Sequence, residues 1–100
     1  NLALCGLSEG CAIIRASVER GVQTLHADPV FMPFDVVILD PPYDADPGAA
    51  VGAAASVVAP NGLVVVEHAR RRAVPERVGA LTRRRDLVSG DSALAFYEIA

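Results

Sequence analysis

The chain has 100 residues, 52% of them hydrophobic and 21% charged, with a formal net charge of -3 and a mean hydropathy of +0.35. That is one small domain, too apolar to be disordered, and no apolar run reaches the ~18 residues of a membrane-spanning helix. Residue 1 is Asn and no charged-then-apolar leader opens the chain, so the reading is a soluble, cytoplasmic product, processed or truncated at its start.

Residues 1–7 suggest the last turns of a helix, with Gly6 near its C-cap, and residues 8–10 a turn. Residues 11–15 (CAIIR) are a short apolar run of strand type. Val18, Val22 and Leu25 recur at helical spacing after Ser17, a suitable N-cap, which predicts a helix over 18–25. Residues 34–39 (FDVVIL) give the strongest strand signal. Unbroken apolarity, in place of alternation, predicts burial on both faces, as in a parallel sheet. The strand ends at Asp40, because Pro41-Pro42 cannot continue the pairing. Alanine-rich residues 49–59 favour a helix, ended by a turn at Pro60-Asn61-Gly62. Residues 63–67 (LVVVE) predict a second buried strand. Residues 70–81 are mixed, with Pro75 placed as the first residue of a third helix. Residues 84–88 and 93–99 predict two last strands, joined as a hairpin at Gly90-Asp91. Alternating elements indicate an α/β fold with a mostly parallel sheet and a C-terminal antiparallel hairpin.

Charge is uneven. Residues 1–66 carry two arginines against seven acidic residues, and residues 67–100 carry seven arginines against five, with no lysine anywhere. Arginine forks pair well with phosphate, so the basic end can meet a polyanion or be a solvated face. Cys5 and Cys11 are spaced as neither a zinc pair nor a redox C-x-x-C, and read as reduced thiols packed as small apolar groups. His26 reads as a surface loop residue. His68 follows Glu67 at a strand end, where a Glu-His pair can suggest acid–base work, but it reads as structural. No metal site is expected.

The chemistry concentrates in Asp40-Pro41-Pro42-Tyr43. A buried strand delivers these residues to its carboxyl end, where ligands bind in open α/β sheets. The Asp40 carboxylate and the Pro41 carbonyl accept hydrogen bonds, and neither proline has an N–H to compete. Tyr43 offers a ring for stacking on a planar base. The set suits an exocyclic amine on a heterocycle, whose delocalised lone pair must be aimed at an electrophile.

This run resembles motif IV of the S-adenosylmethionine-dependent amino methyltransferases, which act on N6 of adenine, N4 of cytosine or N2 of guanine. Residues 63–71 (LVVVEHARR) and 89–99 (SGDSALAFYEI) resemble the C-terminal half of the RsmD family of 16S rRNA guanine-N2 methyltransferases. Gly90, Asp91, Ala93, Leu94, Phe96 and Tyr97 match that family's ending, and residues 1–7 resemble the stretch after its second motif. The resemblance covers essentially the whole chain. It implies a Rossmann-like fold over 1–100 as a partial methyltransferase domain, with the N-terminal strands missing. It also implies S-adenosylmethionine as methyl donor.

By the same resemblance, Asp40 and the Pro41 carbonyl hold the target amine, Pro42 stiffens the loop and Tyr43 stacks on the flipped base. Arg70, Arg71 and Arg72 follow the same edge and are expected to contact rRNA phosphate. The implied partner of a monomer is 16S rRNA or the assembling small ribosomal subunit. The family's glycine-rich cofactor loop and RNA-contacting hairpin are not in the sequence. Its acidic residue after the third strand falls near Ala16-Ser17, so no cofactor-binding residue is assigned. Without the first two strands, residues 11–15 are expected to lack their natural neighbour. The isolated chain is expected to be inactive and to bind S-adenosylmethionine weakly or not at all. The alternatives are a DNA adenine-N6 methyltransferase and a non-catalytic nucleic-acid-binding fragment.

Overall fold

The computed structural model describes residues 2–4, 11–15, 17–29, 32–42 and 44–99. In chain order the elements are β1 (Leu2–Leu4), β2 (Cys11–Arg15), α1 (Val18–Ala27), β3 (Phe34–Asp40), α2 (Pro47–Ala54), β4 (Val58–Ala69), β5 (Arg77–Val78), β6 (Leu81–Ser89) and β7 (Ser92–Ile99). Among the described residues the strands form one seven-stranded sheet in the order β1-β2-β3-β4-β7-β6-β5. The sheet is mixed. Its centre, β2 to β3 to β4, is parallel, and the flanking pairs are antiparallel. Parallel pairing is thus confined to the α/β part, and the antiparallel share is larger than the expected hairpin alone.

The N-terminal expectations change. Residues 2–4 are a strand, not the end of a helix, and pair with β2 at its outer edge through Leu2↔Ile14. A short apolar segment beside an open strand edge gains ladder hydrogen bonds that an isolated helical turn cannot supply. Nor does β2 lack a neighbour. It lies directly against β3, with Ile13 opposite Ile38 and Arg15 opposite Asp40. The turn read at residues 8–10 lies outside the described residues, as does Cys5. Cys11 is buried as expected of a small apolar group, but it is disulfide-bonded and not a reduced thiol.

The two helices pack on each other and share one core with one face of the sheet. Ile14, Val37, Leu39, Val64, Val66 and Tyr97 are wholly buried there with Val18 and Val51. Each such aliphatic side chain contributes about 1.5–3 kcal/mol on burial. Residues of opposite parity, Val36, Ile38, Leu63 and Phe96, are only half-buried. The unbroken apolar runs therefore serve two faces, of which the described helices cover one.

Helix α1 begins as expected, with Ser17 Oγ accepting from the Arg20 backbone N–H at 3.3 Å. His26 sits in its last turn, not a loop, with Nε2 2.9 Å from Ser56 Oγ. Helix α2 starts earlier than the alanine run. Asp46 caps it through the Gly48 N–H at 3.0 Å and Pro47 takes its first position, the cap-then-proline pattern that helix starts favour.

Pro60-Asn61-Gly62 is not a free turn but a bulge inside β4. While β3 advances from Phe34 to Val36, β4 advances from Val58 to Leu63. The third predicted helix is absent: residues 70–76 form a turn and loop leading to β5. Its carbonyls are claimed from outside. Tyr97 Oη donates to Pro75 O at 2.5 Å, Arg83 Nη1 to Val74 O at 3.1 Å, and the Arg83 backbone N–H to Glu76 O at 2.7 Å. The hairpin at Gly90 is as predicted, with a φ of +59° that glycine adopts without penalty. No helix among the described residues is long and apolar enough to cross a membrane.

A candidate active site at the carboxyl edge of the sheet

Strand β3 carries its apolar run to Leu39, wholly buried, and then exposes Asp40. The two prolines that follow leave the sheet and turn toward α2, and the Ala45 N–H closes that turn on Pro42 O at 2.9 Å. Among the described residues neither the Asp40 carboxylate nor the Pro41 carbonyl has a hydrogen-bond partner. Two acceptors thus stand unused at the end of the central parallel strands. Tyr43 lies outside the described residues.

Register supplies the rest of the site. Leu39 pairs with Val66, so Glu67 and His68 emerge beside Asp40 at the same edge. On the far side β7 closes against β4 through Ala69↔Ser92. A cavity of about 150 Å³ results, lined among others by Asp40, Pro41, Pro42, Glu67, His68 and Arg72. Sequence reasoning took His68 as structural, and the structure brings it into the same cavity as Asp40. Its Nδ1 lies 2.9 Å from Ala69 O, and its Nε2 is buried without a partner. The signal for it was the adjacency of Glu67 and His68 at a strand end.

The three arginines separate. Arg72 lines the cavity, its backbone N–H bonded to Ala69 O at 2.9 Å. Arg70 and Arg71 are exposed outside it, with the Arg70 backbone N–H on Asp91 O at 2.8 Å. Among the described residues no cluster of three or more His, Cys, Asp or Glu side chains could hold a metal.

On the other side of Pro41-Pro42 lies a second hollow of about 240 Å³, lined by Ser17, Glu19, Asp46 and Ala49 among others. The prolines form the wall between the two. Both hollows are smaller than the ~300 Å³ at which small-molecule pockets usually begin. Neither of these two hollows by itself encloses a molecule the size of S-adenosylmethionine.

Among the described residues the one clear pKa shift lies away from this edge. Burial pushes the Tyr97 hydroxyl above the ordinary phenol value. The Arg83 charge pulls it back, and Asp86 adds a smaller rise.

The fold is shared with solved structures. A conserved hypothetical protein of Streptococcus pyogenes is 26% identical, with a TM-score of 0.65 over 79% of this chain and 48% of that one. A putative methylase of Haemophilus influenzae is 24% identical, with a TM-score of 0.59 over 78% of this chain and 50% of that one. An rRNA methyltransferase, aviRa of Streptomyces viridochromogenes, is 21% identical, with a TM-score of 0.54 over 86% of this chain and 37% of that one. At these identities the likeness establishes the Rossmann-like methyltransferase fold, and the chain spans about half the length of the first two structures. Among curated proteins there is no significant match. The family described as Conserved hypothetical protein 95 matches residues 1–98, and the chain therefore belongs to that family, the RsmD family.

Proposed function

We propose that the chain forms the target-base half of a nucleobase amino methyltransferase that uses S-adenosylmethionine and modifies N2 of a guanine in 16S rRNA. The observation that carries this reading is the pair of unused acceptors, the Asp40 carboxylate and the Pro41 carbonyl, at the carboxyl end of a buried parallel strand. Family membership supports it. S-adenosylmethionine would supply the methyl group.

The chain's own residues hold and aim the amine. Its two hydrogens go to Asp40 and to Pro41 O, which favours a tetrahedral nitrogen with its lone pair pointing away from both acceptors. The proline rings fix the backbone and remove competing donors. A hydrogen bond to a carboxylate is worth about 1.5–3 kcal/mol, or roughly 10–150-fold in rate when it strengthens only at the transition state. Asp40 is also placed to take the proton released after methylation. Arg72, which lines the cavity, and the exposed Arg70 and Arg71 would meet rRNA phosphates in this reading.

The test uses labelled methyl transfer to 16S rRNA, assembling small subunits and duplex DNA. The enzyme is a version extended by the upstream half of the family fold, compared with its Asp40→Ala variant. Transfer to rRNA that vanishes with Asp40→Ala is expected, while near-normal transfer by the variant refutes the assigned role. Transfer to duplex DNA at adenine would select the other methyltransferase class. The isolated 100-residue chain should not bind S-adenosylmethionine at submillimolar concentration by calorimetry. A fragment that binds nucleic acid without any transfer, in either form, is the non-catalytic reading, favoured only by the chain's half-length span of its relatives.

A further inference from the structure

A buried polar atom without a partner calls for an explanation; His68 lines the candidate site, and its Nε2 is such an atom. The other ring nitrogen settles its character. Nδ1 lies 2.9 Å from the Ala69 carbonyl. A carbonyl only accepts, so Nδ1 carries the proton. In the neutral ring Nε2 is then a bare lone pair, an acceptor and not a donor.

The base edges discriminate on this point. Beside its N2 amine, guanine carries a ring N1–H, a donor. Beside their exocyclic amines, adenine and cytosine carry the ring acceptors N1 and N3. Three acceptors at one edge, Asp40, Pro41 O and His68 Nε2, match two adjacent donors. They set a lone pair against a lone pair for the other two bases.

We propose that His68 is the specificity residue of the site, its Nε2 accepting N1–H of a guanine whose N2 amine is held by Asp40 and Pro41 O. The proposal rests on the amino-methylation reading above and adds the choice of base to it. The side chains also approach from different sides. By strand alternation Asp40 continues the half-buried row Val36–Ile38, and His68 continues the buried row Val64–Val66. An edge entering past the end of the sheet is thus met from both.

The test is a titration of the 100-residue chain with guanosine, inosine and adenosine 5′-monophosphates, followed by long-range proton–nitrogen NMR of the His68 ring. The free chain should show the Nδ1-protonated tautomer. Guanosine monophosphate should shift the Nε2 resonance. Inosine monophosphate, which keeps N1–H and lacks the amine, should shift it at higher concentration. Adenosine monophosphate should not. The guanine preference should be about tenfold and should fall to near unity in His68→Ala. His68→Gln, whose amide oxygen can stand near Nε2, should restore part of it.

Both variants must keep the wild-type backbone amide spectrum. If His68→Ala does not, His68→Gln alone decides by whether the preference persists. An Nε2-protonated tautomer, or equal binding of guanine and adenine nucleotides through Asp40 with Nε2 unmoved, overturns the proposal and leaves the amine reading standing. A His68 response that survives Asp40→Ala unchanged overturns the amine reading instead. No response to any nucleotide overturns both.

Discussion

Gly62 sits in the bulge where β4 is fed into register with β3, and replacing it with alanine should destabilise the fold severely. A Cβ there would lie 2.6 Å from Val58 Cγ2 and 2.9 Å from both Ala59 O and Asp35 O. Comfortable carbon contacts lie near 3.5–4.0 Å. Val58 is buried and β-branched, so it cannot rotate aside freely, and the other two atoms are backbone. Overpacking of this kind costs about 1–3 kcal/mol or more. The opposing gain, less freedom in the unfolded chain, is only about 0.4–1 kcal/mol. Gly62 is not among the glycines with positive φ, so the penalty is pure contact. Net of the unfolded-chain gain the loss is roughly 0.5–2.5 kcal/mol, so with a urea slope of about 1 kcal/mol/M for so small a domain the midpoint should fall by roughly 0.5–2.5 M. Gly52→Ala is the control. It lies within α2, and its Cβ would meet only Val78 Cγ1 at 3.4 Å, so a gain of about 0.5–1 kcal/mol is expected. A Gly62→Ala midpoint within about 0.3 M of wild type would refute the reasoning.

Tyr97→Phe should cost about 1–3 kcal/mol in urea melts, because it leaves Pro75 O without its donor in a part-buried loop. The Arg83 amide, bonded to Glu76 O in the same loop, should exchange faster in that variant. The raised Tyr97 pKa gives a signed pH dependence. Its stability contribution is complete below the unfolded phenol value of about 10 and is lost as pH rises from there through the higher folded value. Urea midpoints between about pH 9 and 11.5 should therefore fall less steeply in Tyr97→Phe than in wild type; parallel slopes would contradict this. Asp40→Asn should leave stability within about 0.5 kcal/mol, since the side chain is exposed and unpartnered. It should nonetheless abolish methyl transfer in the extended enzyme, and a large loss of stability would reassign Asp40 to structure.

The strongest elements were legible because their signals were local. The unbroken FDVVIL run, the proline stop and the Gly90 hairpin each follow from the residues themselves, and β3, its end at Asp40 and the β6–β7 pair match them. Ser17 as cap of α1 was legible for the same reason. The misses are tertiary. The helix expected from Pro75 onward gave way to a loop whose carbonyls Arg83 and Tyr97 claim, and the Tyr97 partner lies beyond any local window of sequence. Residues 2–4 became a strand because β2 offers an edge. The early start of α2 was readable in Asp46-Pro47 and was obscured by the alanine run. The place of His68 in the cavity and its unpartnered ring nitrogen are tertiary facts that the sequence does not carry.

These findings tie the remote bulge to the site. The cavity draws Asp40 from β3, Glu67 and His68 from β4 and Ser92 from β7, so its geometry is a statement about register. Past the bulge that register is fixed by the facing rows Val37↔Val64 and Leu39↔Val66, all four wholly buried. A slip of one residue in β4 would carry Glu67 into the helix-covered core and turn His68 to the opposite face. Burying a lone carboxylate is far costlier than any contact the cavity offers, so the sheet resists the slip. The extra residues between Val58 and Leu63 must then be absorbed locally, where only a residue without a Cβ fits among Val58, Ala59 and Asp35. The geometry of the carboxyl edge therefore depends on a glycine at the opposite end of the same strand pair.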